Sequence, residues 1–200
     1  VKATSTADPT KSASATVTVF ASVSVDFGSR TDTSQPIPSG LFSASLSYVP
    51  NLNAAGLLTQ SGLTGVRFYA TQTPDWTKID PLITSIKNAG MRPILQLVYT
   101  PTWLQPSPNP CSGVTDLFRS APKDLTAWAN IAASYVTHMN ATFPGLIQDY
   151  EIWNEPDQQG FLCVSDNTDA TRRSTYFSIY AAAAPAMRAA SGTSTVHIGG

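Results

Sequence analysis

The spacing of apolar residues changes period along the chain. In "KSASATVTVF" (11–20), Ala13, Ala15, Val17 and Val19 alternate with Ser12, Ser14, Thr16 and Thr18. A period of two in Val/Thr-containing sequence predicts a strand with one buried face. "ADPTK" just before it carries turn chemistry, so residues 1–22 predict a β-hairpin. From about residue 41, short apolar runs alternate with stripes at helical spacing. Strands are predicted over 41–49, 65–70, 91–100, 146–155 and 195–200. Helices are predicted over 51–62, stopped by Gly62, and over 76–90, with Ile79, Leu82, Ile83 and Ile86 on one face and Gly90 as the stop. A further stripe joins Leu125, Trp128, Ala129, Ala132, Tyr135, Val136 and Met139, with Ser120 and Pro122 as start signals. A last helix is predicted over 172–191, with a kink at Pro185.

Strands alternating with helices imply right-handed βαβ units and a parallel sheet. Two architectures fit: an open doubly wound sheet and a (β/α)8 TIM barrel. No glycine-rich phosphate loop follows the first strand, which weakens a nucleotide-binding sheet. The predicted strands end in Arg67 and Tyr69, in Tyr99, and in Trp153 to Glu155. Chemistry at the C-terminal ends of several strands is the habit of a barrel. The expected fold class is therefore α/β, a partial TIM barrel of about five β/α units, where a closed barrel has eight. The expected domains are a hairpin over 1–22, a linker over 23–40 and the barrel portion over 41–200.

Composition narrows the function classes. Charged residues make up 12% of the 200 residues, about half the usual share. The formal charge is −1 and no basic cluster exists, so nucleic acid and anionic membranes are not expected partners. No apolar run is long enough to span a bilayer. Ser, Thr, Ala and Asn fill the polar positions, a secreted pattern. Cys111 and Cys163 both lie in polar loop sequence, and an even count in such a chain points to one disulfide. No Cys/His spacing suggests a metal site, and no cofactor is expected.

Both glutamates of the chain, Glu151 and Glu155, fall in "DYEIWNEPDQQG" (149–160). Asn154 can donate a hydrogen bond to a hydroxyl, and Trp153 can supply a flat apolar wall. A carboxyl beside an aromatic in a partly closed pocket keeps its proton more readily than in water, as a general acid requires. A Glu that merely caps the following turn is the plainer alternative.

The context favours chemistry. "WNEP" at the end of the fourth barrel strand resembles the acid/base signature of clan A glycoside hydrolases. "GVRFYA", "RPILQLVYTPTWL", "YEIWNEPD" and "VHIGG" resemble strands two to five of family 39, the β-xylosidase and α-L-iduronidase group, over roughly residues 40 to 200. The hairpin, which two strands cannot stabilise alone, resembles the end of a bacterial Ig-like repeat. The alternative is a hairpin packed on the main domain.

The resemblance implies a secreted, bacterial retaining glycosidase acting on carbohydrate. Glu155 would be the general acid/base and Asn154 the contact to a sugar 2-hydroxyl. Arg67 would hold the nucleophilic carboxylate, and Trp153, Tyr99, Trp103 and Phe161 would contact or stack on sugar rings. Cys111 and Cys163 would meet, because their loops follow neighbouring strands. Glu151 lies four residues before Glu155, which is ~13 Å along a continuous strand at ~3.3 Å per residue. Retaining enzymes hold their two carboxyls about 5–5.5 Å apart. Glu151 is therefore expected to be an inward residue paired with an arginine. The nucleophile is expected downstream of the chain, and the 200 residues are expected to be inactive alone. An endo-acting cellulase- or mannanase-like hydrolase and a non-catalytic carbohydrate-binding or adhesion module stand as alternatives.

Overall fold

A computed structural model of the chain describes residues 2–4, 10, 12–14, 43–46, 63–70, 73–111 and 113–200. The chain divides into two units, Val1–Ile37 and Pro38–Gly200. In the first, β1 (Lys2–Thr4) pairs antiparallel with β2 (Ser12–Ser14), Lys2 opposite Ser14 and Thr4 opposite Ser12. The residues between these two strands, apart from Thr10, lie outside the described residues. The alternation beyond Ser14, the proposed linker over 23–40 and the predicted helix over 51–62 lie outside the described residues.

The second unit contains a five-stranded parallel sheet of β3 (Ser43–Leu46), β4 (Gly65–Ala70), β5 (Arg92–Leu97), β6 (Asp149–Ile152) and β7 (His197–Gly199). Helix α1 (Trp76–Asn88) joins β4 to β5, α2 (Leu125–Thr142) joins β5 to β6, and α3 (Asp169–Ser191) joins β6 to β7. The strands lie in the order of the sequence. A doubly wound sheet reverses its strand order at a switch point, whereas a barrel does not. The order therefore selects the barrel type of winding.

Alternation sorts the sheet into two faces. Val66, Phe68, Ala70, Leu95, Leu97, Tyr150 and Ile152 are buried in the core. Against them pack Ile79, Ile83 and Ile86 of α1, the Trp128–Met139 stripe of α2, and Ile179, Ala183, Ala184 and Met187 of α3. Residues between them in sequence form the other face: Arg67 and Tyr69, Arg92, Ile94 and Gln96, Asp149 and Glu151. Arg92 Nη2 donates to Asp149 Oδ2 at 2.6 Å there, and His197 Nδ1 lies 2.8 Å from Asp149 Oδ1.

Helix boundaries differ from expectation at the N-termini. Helix α2 starts after Asp124, whose carboxylate accepts from the Ala127 amide at 2.9 Å. Ser120 and Pro122 lie before it in a loop, where the Ser120 carbonyl accepts from the Thr100 hydroxyl. Helix α3 starts three residues early because Thr168 caps it, accepting from the Thr171 amide at 3.3 Å. Pro185 stands inside α3 without ending it. Pro185 and Ala181 are both exposed, so the carbonyl freed at i−4 belongs to the wet side of the helix.

Two stability measurements follow from this core. Ile83 has no exposed surface. Ile83→Ala is expected to cost about 2–5 kcal/mol in urea unfolding, as a large-to-small change in a packed interior. Burial also raises the phenols of Tyr150 and Tyr176, the latter to about 12 from an ordinary 10.0. Below pH 10 both are neutral whether folded or not, and stability does not depend on them. Above it the unfolded chain loses protons that the native one keeps, so stability falls as pH rises toward 12. Denaturation midpoints measured from pH 8 upward should be flat and then decline, with Tyr176→Phe declining less.

Candidate active site

The polar face converges at the C-terminal ends of β4, β5 and β6. Arg67 grips Glu151 with both arms of its guanidinium, Nε to Oε2 at 2.5 Å and Nη2 to Oε1 at 2.6 Å. This pairing, with burial opposing it, raises the Arg67 guanidinium further above its ordinary range. Arg67 Nη2 also donates to Asn154 Oδ1 at 3.2 Å. Gln96, fully buried, directs its Nε2 at three acceptors: Glu151 Oε1 at 2.9 Å, the Trp153 carbonyl at 2.9 Å and Asn154 Oδ1 at 3.0 Å. Its Oε1 is buried with no hydrogen-bond partner among the described residues. An orphaned buried acceptor costs about 1–3 kcal/mol, which the contacts of Nε2 offset.

Strand β6 ends at Ile152, not at Glu155. Trp153 and Glu155 both have left-handed backbone, φ 72° and 41°. Such a conformation in a non-glycine residue persists only when the surroundings over-determine it. Trp153 is held on every side. Its amide donates to Leu97 O at 2.9 Å, its carbonyl accepts from Gln96, and its indole Nε1 donates to Phe161 O at 2.9 Å. Its ring packs against Tyr99 and Trp128 with centroids 5.4 Å and 6.0 Å away.

Several expected residues are therefore placed differently. Trp153 has 0% exposed surface and is part of the core, so it forms no wall for Glu155 or a sugar. Its left-handed backbone turns the ring away from the site and into the helices. Glu155 is exposed, and its carboxylate accepts from Gln158 Nε2 at 3.3 Å. It does not sit in a partly closed pocket, because the turn at φ 41° carries it outward and no described residue covers it. Extended-strand arithmetic does not apply from Glu151 to Glu155, since the strand stops between them. Glu151 is the inward, arginine-paired residue. Arg67, expected to hold another carboxylate, holds Glu151.

Tyr99 is half-buried, and its hydroxyl hydrogen-bonds Asn154; burial, outweighing that bond, raises its phenol. It also lines an open cavity of about 740 Å³ with Tyr69, Phe118, Asp75 and Lys78. Neither Asn154 nor Glu155 lines this cavity; Tyr69, whose ring centroid lies 5.9 Å from the Arg67 guanidinium, joins it to the polar cluster beside Tyr99. Trp103 is 56% exposed on a 3-10 turn (Thr102–Leu104) and does not line the cavity. Phe161 takes part through its carbonyl. Cys111 and Cys163 form a disulfide with Cα atoms 5.4 Å apart. The Cys163 amide also donates to Arg119 O at 3.0 Å, so the loops after β5 and β6 are stitched twice.

Two residues escaped the sequence reading. Gln96 was hidden in the apolar run "PILQLV", where a single amide at an inward position was the available signal. Arg172 lies at the start of the helix predicted over 172–191, with no apolar spacing to mark it. It is buried, and its guanidinium donates to Asp157 O at 2.8 Å, Gln159 Oε1 at 3.2 Å, Asn167 Oδ1 at 2.7 Å and the Asp169 carboxylate. It clamps the loop that carries Glu155. Among the described residues, no group of three His, Cys, Asp or Glu is placed to hold a metal ion, and no helix is long and apolar enough to cross a membrane.

A parallel sheet wound in sequence order, with its polar cluster at the strand C-termini, belongs to a TIM-barrel domain. Residues 59–200 match the model of glycosyl hydrolases family 39, and the chain belongs to that family. Among solved structures it is similar to a family 39 glycoside hydrolase from the gut symbiont Bacteroides cellulosilyticus WH2, at 14% identity and a TM-score of 0.51 over 79% of this chain and 31% of that one. An exo-β-1,4-mannosidase from Opitutaceae bacterium strain TAV5 aligns at 16% identity and a TM-score of 0.49, over 74% of this chain and 30% of that one. A β-glucosidase from Thermotoga maritima in complex with glucoimidazole aligns at 13% identity and a TM-score of 0.44, over 74% and 36%. No curated protein matches the sequence. The chain thus spans about a third of the length of these solved structures.

The ion pair at the centre of the cluster can be measured. Arg67→Met leaves the Glu151 carboxylate without its cation. Each side chain of the pair is about a quarter exposed, at 25% and 26%. Solvent therefore tempers the loss to about 1–3 kcal/mol. A double-mutant cycle with Glu151→Gln, read by urea unfolding, should show a coupling that raised salt weakens only slightly.

Proposed function

We propose that the protein hydrolyses O-glycosidic bonds in oligo- or polysaccharides by a retaining double displacement, with Glu155 as general acid/base. The observation that carries this reading is the position of Glu155: it directly follows Asn154, whose amide is pinned by Arg67 and Gln96 at the C-terminal end of a parallel sheet in a family 39 chain. In the first step the Glu155 proton passes to the glycosidic oxygen as the bond from that oxygen to the anomeric carbon breaks. A second carboxylate bonds to the anomeric carbon. Water then attacks that carbon, gives its proton to Glu155, and the glycosyl ester breaks.

Glu151 is assigned a structural role and not that of the second carboxylate, since Arg67 and Gln96 together make three hydrogen bonds to it within the face of the sheet. The nucleophile is assigned to sequence other than these 200 residues. Asn154 is assigned the sugar 2-hydroxyl, with Arg67 fixing the cluster around it. Tyr99 and Trp103 are assigned contacts to sugar rings. The disulfide and the sparse charge support a secreted protein.

The exposure of Glu155 favours one rival, a carbohydrate-binding module without turnover. Kinetics on 4-nitrophenyl glycosides with the full-length protein carrying these residues separate the two. Glu155→Gln is expected to lower the rate by about 10²–10⁴-fold. Added azide should restore release of nitrophenol and yield a glycosyl azide of retained configuration. Tight sugar binding with no hydrolysis by the parent protein would instead establish the module.

A further inference from the structure

Gln96 has a role beyond packing, and the geometry defines it. An amide has one accepting end and one donating end, and its partners decide which way it faces. The Trp153 carbonyl and the arginine-bound Glu151 carboxylate can only accept, so the Gln96 nitrogen faces them. Arg67 can only donate, so the Asn154 oxygen faces Arg67 and, at 3.0 Å, the Gln96 nitrogen. The Asn154 nitrogen must then point the other way, away from Arg67 and Gln96. Gln96 accomplishes this with its own oxygen left without a protein donor among the described residues.

We propose that Gln96 is a positioning residue that locks the Asn154 amide with its oxygen inward and its nitrogen outward, so that the site meets the sugar at this point as a hydrogen-bond donor. The ligand group selected is an acceptor oxygen, and replacing it by hydrogen removes the contact. This inference rests on the reading of Asn154 as the contact to the 2-hydroxyl. It adds that Gln96 shares with Arg67 the setting of that donor polarity, acting on the sugar through Asn154.

The test compares the best aryl glycoside of the full-length protein with its 2-deoxy counterpart. Gln96→Met keeps the length and removes the donor. It should lower kcat/KM on the hydroxylated sugar by about 100-fold, the scale of a misplaced site group, and on the 2-deoxy sugar by less than about threefold. Asn154→Ala should show the same split. Gln96→Glu, isosteric, serves if the first variant unfolds: ionised, it offers no donor and should lose the preference for the hydroxylated sugar, regaining it as the pH is lowered and the new carboxyl gains a proton. Equal losses on both sugars in the Gln96 variants, with Asn154→Ala still selective, overturn the proposal alone. A parent protein that turns over both sugars equally overturns the Asn154 reading and this inference with it.

Discussion

The site depends on a tryptophan that leaves its strand the wrong way. Trp153 follows the last residue of β6 with φ at 72°, in a region that bulky residues avoid. A conformation of this kind costs on the order of 1–3 kcal/mol. Three hydrogen bonds, to Leu97, Gln96 and Phe161, offset it at about 1 kcal/mol each, before the burial of a large ring is considered. The result is a corner. On its inner side the Trp153 ring joins the helical core. On its outer side Asn154 turns its oxygen to the polar face, and Glu155 faces solvent.

That polar face explains an oddity of composition. The chain carries few charges, 12 basic and 13 acidic side chains in 200 residues. Yet Arg67, Arg92, Asp149 and Glu151 all sit on one side of the sheet: Arg67 reaches over β5 to Glu151 on β6, and Arg92 pairs with Asp149 on the adjacent strand. The register makes this possible: Gln96 lies opposite Glu151, and Ile94 opposite both Arg67 and Asp149. The lower rung of the face is closed by Arg92, Asp149 and His197, and the upper rung by Arg67, Gln96, Glu151 and Asn154. A face built this way carries its charges as pairs. Its upper rung supplies oriented donors where a ligand can reach them, the property on which electrostatic stabilisation of a transition state rests.

What could be read from the sequence was whatever obeys a period. The stripe from Leu125 to Met139 and the isoleucines of α1 gave their helices, because one apolar face repeats at helical spacing. The short apolar runs "GVRFYA" and "PILQLV" gave strands. Residues 153 to 155 obey no period. Extending β6 to Glu155 treated Trp153 as one more strand residue, and the consequences for the ring and for Glu155 followed from that step. Gln96 and Arg172 were illegible for a related reason: their roles are made by partners 55 to 58 residues away, or by a loop folding back onto a helix. Helix starts at Asp124 and Thr168 were legible in principle, since both are good capping residues at the right offset. Before Asp124, upstream Ser120 and Pro122 offered a competing signal.

The loop that carries Glu155 is fixed from both directions. Trp153 anchors its start. Arg172 ties down Asp157, Gln159 and Asn167, the disulfide binds Cys163 to the loop after β5, and Thr168 caps the helix that follows. Hinged or lid-like segments are drawn from the least anchored parts of a fold, and this loop is not one of them. Preorganisation here belongs to the backbone, and freedom is confined to the exposed Glu155 side chain. Whatever covers that side chain, a sugar or another part of the protein, meets a carboxyl whose point of attachment is already set. The approach of the covering group then decides its environment, and the geometry of Asn154 beside it does not have to change.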